Sequence, residues 1–196
     1  MRDTSWDADL ALPRAGLAVA AVAAVITLVT AGWPAASLAF ADRQRLPAGT
    51  VLVIGPDPVR SAHLTVGRGW ALLKAESDQA QLESLRMGAV EMTVTYVSLL
   101  GRGQAGNLWP GLRRIIRAGH PGSRLGPPRP ISTAEGAEEE DDGSLTGAGL
   151  AGQAEVLADP RRDFAIEVTL LAPQGADAAG MRAAARMVKT LRLETP

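Results

Sequence analysis

Catalysis requires groups placed to share a proton, hold a metal or present a nucleophile, and this sequence offers few such sets. It contains two histidines, His63 and His120, and no cysteine. The missing thiol excludes structural disulfides, thiolate metal sites, a cysteine nucleophile and lipidation at cysteine. Asp57, Ser61 and His63 supply the residue types of a hydrolytic triad, but near-adjacent positions on an extended segment splay their side chains instead of converging them. The acidic run Glu138, Glu139, Glu140, Asp141 and Asp142 offers hard oxygen donors for calcium. It lacks the alternating ligand positions, central glycine and terminal glutamate of an EF-hand loop. Gly67-Arg68-Gly69 and Gly101-Arg102-Gly103 have neither the lysine nor the following helix of a phosphate loop, and read as turns. The expectation is a non-enzymatic protein without a metal or cofactor.

Positive charge is the stronger signal. Arg113, Arg114 and Arg117 fall in one short segment, with Arg124 and Arg129 downstream and Trp109 beside them. Such a cluster can meet anionic headgroups or an acidic protein, or simply face solvent. Trp109 reads first as a packing residue, although an exposed Trp-Arg patch would suit a protein interface. The expected contact residues are therefore Trp109, Arg113, Arg114, Arg117 and Arg124. Nucleic acid is not an expected partner, because the net charge is -1 and aromatic residues make up only 4% of the chain. That composition gives neither an overall attractive field nor a platform of stacked rings. Trp70, Tyr96 and Phe164 are expected to fill the core.

The elements that must position these residues follow from periodicity. Thr50 to Ile54 is a β-branched run closed by Gly-Pro-Asp-Pro, and Ala62, Leu64 and Val66 alternate with polar neighbours. A short strand follows around Trp70 to Ala75. The clearest hairpin spans Gln81 to Val97, turning at Met87-Gly88. It sends Val90, Met92, Val94 and Tyr96 to a covered face, and Glu91, Thr93 and Thr95 to the other. Asn107 can cap a helix to about Ala118 whose apolar side is Leu108, Leu112, Ile115 and Ile116. Gln153 to Leu157 and Phe164 to Leu171 form an antiparallel pair about the turn Asp159-Pro160-Arg161-Arg162. Met181, Ala184, Ala185 and Val188 mark a last helix from about Asp177, and Leu191 and Leu193 a short final strand. This order predicts an α+β domain, an antiparallel sheet with two main helices packed on one of its faces.

Domain organisation is set by one segment. From Ala15 to Ala41 the chain has no ionisable side chain, long enough for a helix to cross the hydrocarbon core. Trp33 and Pro34 stand where a ring would reach the headgroups and a helix could bend. The alternative is secretion after cleavage near Ala41, since Ala39-Phe40-Ala41 has the small-x-small pattern. The expected organisation is a cytoplasmic head at 1–14, a transmembrane helix or signal segment at 15–41, a linker at 42–48 and an extracytoplasmic domain at 49–196. The acidic loop is placed at 135–149, where consecutive like charges favour a solvated chain.

The C-terminal pattern DFAIEVTLLAP followed by MRAAARMVKTLRLE resembles the end of the PsbP/LpqN-like family of exported α+β proteins. GRGWALLKAES, QLESLRMGAVEMTVTYVSL and NLWPGLRRII extend that resemblance over about residues 49 to 195. The whole arrangement also resembles actinobacterial single-pass membrane proteins with an exterior domain. The resemblance implies an accessory, assembly or binding role without a shared catalytic constellation, and transfers no functional residue. The expected function is a membrane-tethered accessory or scaffold protein that binds a membrane or cell-envelope partner, with the bilayer contacted through 15–41. An extracytoplasmic small-ligand or lipid-binding domain is the alternative.

Overall fold

In chain order the strands are β1 (Arg43–Arg45), β2 (Val51–Asp57), β3 (Arg60–Thr65), β4 (Ala71–Leu73), β5 (Leu82–Met87), β6 (Val90–Ser98), β7 (Arg124–Leu125), β8 (Arg129–Pro130), β9 (Glu139–Gly147), β10 (Leu150–Ala158), β11 (Phe164–Pro173) and β12 (Arg192–Glu194). The helices are α1 (Leu108–Gly119) and α2 (Ala178–Val188). The computed structural model describes residues 43–78, 80–99, 107–130, 139–161, 163–176 and 178–194. The expected head at 1–14 and membrane segment at 15–41 lie outside the described residues, as do Gly101-Arg102-Gly103 and Glu138. No helix among the described residues is long and apolar enough to cross a membrane.

Two antiparallel sheets organise the described residues. The larger runs β1-β4-β5-β6-β11-β10-β9-β7, with β8 also paired to β9; the smaller runs β12-β3-β2. At the centre of the large sheet β11 pairs with β6 and β10, with Val168 opposite both Val94 and Glu155, and Glu167 opposite both Thr95 and Val156. Partners in register share a face, so the alternation in each strand decides what each face packs against. One face presents Val90, Met92, Val94, Phe164, Ile166, Val168 and Leu170. These are buried against the small sheet and the α2 residues Ala184, Met187 and Val188. The opposite face presents Ala154, Val156, Ala165 and Leu145, covered by Leu108, Trp109, Leu112 and Ile116 of α1. The helices therefore lie on opposite faces, which corrects the one-face packing expected from element order. The physical reason is that β10 and β11 carry apolar residues at both parities, so both faces there need cover.

The Gln81 to Val97 hairpin forms as expected, as β5 and β6 with Gly88 at positive φ in the turn. Tyr96 stacks on Phe164 with ring centroids 5.2 Å apart, joining β6 to β11. Three local expectations are corrected. Arg43–Arg45 is no linker but an edge strand paired with Ala71–Leu73, because its backbone completes the otherwise unpaired side of β4. Gly55-Pro56 does not end β2. The strand continues to Asp57 through a register shift after Ile54, tolerated because β2 is an edge strand and needs no N–H from proline there. Glu139–Gly147 is a strand and not a loop. Its backbone is paired along its length with β10, and Asp142 meets Arg129 of β8 at 3.2 Å, so ladder bonds and a cross-strand cation offset the charge repulsion. The final strand β12 forms, but it joins the small sheet through β3.

The tight connection from β10 to β11 is held by one carboxylate. Asp159 is 1% exposed. Its oxygens accept the backbone N–H groups of Arg161 at 2.9 Å, Asp163 at 2.7 Å and Phe164 at 3.4 Å. Asp159→Ala leaves those donors to compete for solvent at the head of the central hairpin. Its expected cost is about 2 kcal/mol, on the scale of hydrogen bonds to a charged group. Urea denaturation that finds no loss of stability would remove this carboxylate from the account of the turn.

Candidate functional site

Helix α1 is the element around which the surface is organised. Successive residues rotate by about 100° around a helix. Leu108, Trp109, Leu112 and Ile116 consequently point to the sheet, Arg113 and Arg117 fall on one flank, and Gly111 and Ile115 on the other. Asn107 precedes the helix but makes no side-chain capping bond, since its backbone is already helical, which corrects the expected cap. The helix is held down by its tryptophan. Trp109 is 6% exposed and donates its ring N–H to the Gly126 carbonyl at 3.0 Å. It is a packing residue and not an exposed anchor. Its ring lies where a side chain on strand β9 would otherwise stand: a Cβ at Gly143 would come within 2.5 Å of Trp109 Cζ2.

A cleft of about 610 Å³ opens beside the Arg113–Arg117 flank, lined by both of those side chains together with Ser123, Arg124, Leu125 and Pro127. No described carboxylate lies within ion-pair distance of these three arginines. The Nε of Arg113 is buried and has no hydrogen-bond partner. Of the residues expected from sequence, Arg113, Arg117 and Arg124 thus share one cleft. Arg114 is exposed outside it and donates to the Pro110 carbonyl at 3.4 Å. Arg129 is engaged by Asp142 instead.

The other flank was not legible in the sequence. A cleft of about 300 Å³ lies there between α1 and the sheet, lined by Thr95, Val97, Leu99, Asn107, Leu108, Gly111, Ile115 and Glu167. Ile115 was expected on the buried apolar side, yet it is 62% exposed because the space beneath it is this open cleft. Glu167 on β11 is 5% exposed, and burial pushes its carboxyl up to about 7. Gly111 forms part of the opening, and a Cβ added there would meet nothing within 4 Å. Gly111→Ala is therefore expected to raise stability by about 0.8–1 kcal/mol, the helix-propensity difference. A denaturation midpoint lower than that of the parent chain would contradict it.

The catalytic set raised from sequence does not assemble. Asp57 accepts Arg60 at 2.8 Å, and this guanidinium with two backbone donors lowers its carboxyl despite the opposing effect of burial. The Ser61 hydroxyl is buried and donates to the Pro58 carbonyl at 3.2 Å, while His63 Nδ1 stands 3.8 Å from Glu194. Among the described residues no group of three or more His, Asp or Glu side chains could hold a metal ion.

No protein-family model matches the sequence, and no curated protein matches it. Similar solved structures include the following two. The solution structure of cyanobacterial PsbP (CyanoP) from Synechocystis sp. PCC 6803 shares 9% identity, over 76% of this chain and 95% of that one, with a TM-score of 0.49. The crystal structure of LpqN, involved in cell envelope biogenesis of Mycobacterium tuberculosis, shares 18% identity over 75% of this chain and 90% of that one, with a TM-score of 0.50. The second likeness is one of fold, and it agrees with the antiparallel sheets and two helices described above: the chain has an α+β fold similar to that of LpqN.

Proposed function

We propose that this chain is a non-enzymatic accessory protein, tethered to the cell membrane through residues 15–41, whose extracytoplasmic domain binds an anionic group on a membrane or cell-envelope partner. The observation that carries this reading is the arginine cleft. Arg113, Arg117 and Arg124 converge on one concavity with no described carboxylate to neutralise them. Guanidinium groups so placed suit planar bidentate contacts to carboxylate or phosphate. The apolar run from Ala15 to Ala41 supports the tether, and the setting of LpqN in envelope biogenesis supports the location. The second reading, a small-ligand domain, is favoured by the apolar cleft with Glu167 on the opposite flank of α1.

Photo-crosslinking in intact cells tests the first reading, with the photoreactive residue at exposed position 114 of the full-length chain. A discrete envelope adduct is expected, lost in the Arg113→Glu, Arg117→Glu, Arg124→Glu triple variant and weakened by added salt in membrane preparations. An adduct pattern unchanged by charge reversal would reject the cleft as the partner surface.

A further inference from the structure

The cleft beneath Ile115 combines three features that packing alone leaves unexplained. Its volume of about 300 Å³ sits at the lower end of small-molecule sites, roughly 300–1,000 Å³. Its walls are Val97, Leu99, Leu108 and Ile115, while Thr95, Asn107 and Glu167 are the polar residues that line it. Glu167 occupies a central strand in register with Thr95 and Val156, where a threonine or valine would suit β structure better. It shows no hydrogen bond or ion pair among the described residues. A buried carboxyl group without a partner is costly to a fold. The helix side of the opening is Gly111, at a position where alanine would stabilise α1 and meet no steric obstacle. The glycine keeps the cleft open and the glutamate gives it a carboxylate.

The geometry points to this cleft as a binding site for a primary alkyl amine, its ammonium group paired with Glu167 and its hydrocarbon chain against Val97, Leu99, Leu108 and Ile115. An ammonium supplies donors to a carboxylate that has none among the described residues, and a short chain fills the apolar walls. The site rests on the small-ligand reading of the domain and is independent of the arginine cleft, which opens on the opposite flank of α1. Among the described residues no other ionisable group lines the cleft. From β6 it is faced by Thr95 and Val97, from β10 by Val156 as the register neighbour of Glu167, and from α1 by Leu108, Gly111 and Ile115. Occupancy should therefore follow the ionisation of Glu167 alone, since an alkyl ammonium stays charged through neutral pH.

The test is a titration of the full-length chain, labelled at its Ile, Leu and Val methyl groups, with n-hexylammonium. Hexan-1-ol and hexanoate serve as comparators. At pH 8, saturable shifts are expected on Val97, Leu99, Leu108 and Ile115, with hexan-1-ol at least tenfold weaker and hexanoate producing none. Affinity should fall at least tenfold in Glu167→Gln, and by a similar factor in the parent chain at pH 5.5. Equal affinity for the alcohol, an unchanged Glu167→Gln, or shifts that never saturate would each overturn the assignment. Should Glu167→Gln fail to fold, Gly111→Leu provides a second reading by filling the opening from the helix. Abolished binding with the remaining methyl spectrum intact is expected there, and retained binding overturns the site. The Arg113→Ala, Arg117→Ala, Arg124→Ala variant should bind hexylammonium as the parent does, so failure of the partner reading and failure of this one are separable.

Discussion

Trp109→Ala is expected to destabilise the domain by about 3–5 kcal/mol, the range for truncating a large buried aromatic. The ring belongs to the buried cluster between α1 and the large sheet, with Leu112, Ile116 and Leu145, and its N–H donates to the Gly126 carbonyl at 3.0 Å. Removing it leaves a cavity that strand β9 cannot fill, because glycine stands opposite at position 143. Trp109→Phe separates the two contributions: it retains most of the packing and loses the hydrogen bond, so about 1–2 kcal/mol is expected. Gly143→Ala approaches the same contact from the sheet. Its added carbon would lie 2.5 Å from Cζ2 of the ring, and forcing the helix outward should cost about 1–3 kcal/mol. Both clefts depend on the seat of α1, so Trp109→Ala should also weaken arginine-cleft crosslinking and hexylammonium binding together. Chemical denaturation measures the first effect. A loss below about 1 kcal/mol for Trp109→Ala would show that the helix is held by its leucines and isoleucine instead.

Glu167 should make the domain less stable as pH rises through the weakly acidic range. Its carboxyl has a folded value of about 7 against an ordinary value of 4.5, because burial penalises the charged form. Between those two values the folded state holds more protons than the unfolded state, so the slope of unfolding free energy with pH is negative. The stabilising contribution is complete below pH 4.5, declines as pH rises towards 7 and is gone above it. At 1.36 kcal/mol per unit, the full change is about 3 kcal/mol. Glu83, buried on the other face of the sheet, is also raised by burial and acts in the same direction. Glu167→Leu should therefore leave stability near pH 4.5 little changed, and increase it by up to about 3 kcal/mol at pH 8. Parallel pH profiles for parent and variant in urea would show that Glu167 titrates as a solvated group.

Several elements were legible because local chemistry and tertiary demand agree. Val90, Met92, Val94 and Tyr96 alternate with polar residues, and the same parity is buried in β6. Leu108, Leu112 and Ile116 repeat at helical spacing and form the seat of α1. The strands Gln153 to Leu157 and Phe164 to Leu171 were found in the right places and pair as expected, though both extend further. The acidic strand was missed because charge repulsion is a local signal, whereas the ladder to β10 and the Arg129–Asp142 contact depend on residues distant in sequence. The edge strand at Arg43–Arg45 was missed for the same reason: a polar tripeptide has no intrinsic strand pattern and takes its conformation from β4.

The sites divide along the same line. Residue type and local period were enough to show that no thiol chemistry is available, that Arg113 and Arg117 lie away from the apolar side of their helix, and that Trp70 and Phe164 belong to the core, while the burial of Trp109 had to be read from the fold. Both signals act over a few positions. Long-range packing brings Arg124 to Arg113 and Arg117, commits Arg129 to Asp142, and sets the helices on opposite faces of one sheet. The same packing encloses Glu167 beside Thr95 under the exposed Ile115. A carboxylate on an alternating strand looks solvent-facing in sequence. Whether water reaches it depends on what packs over that face, and here that is set by a helix more than forty positions away in the chain.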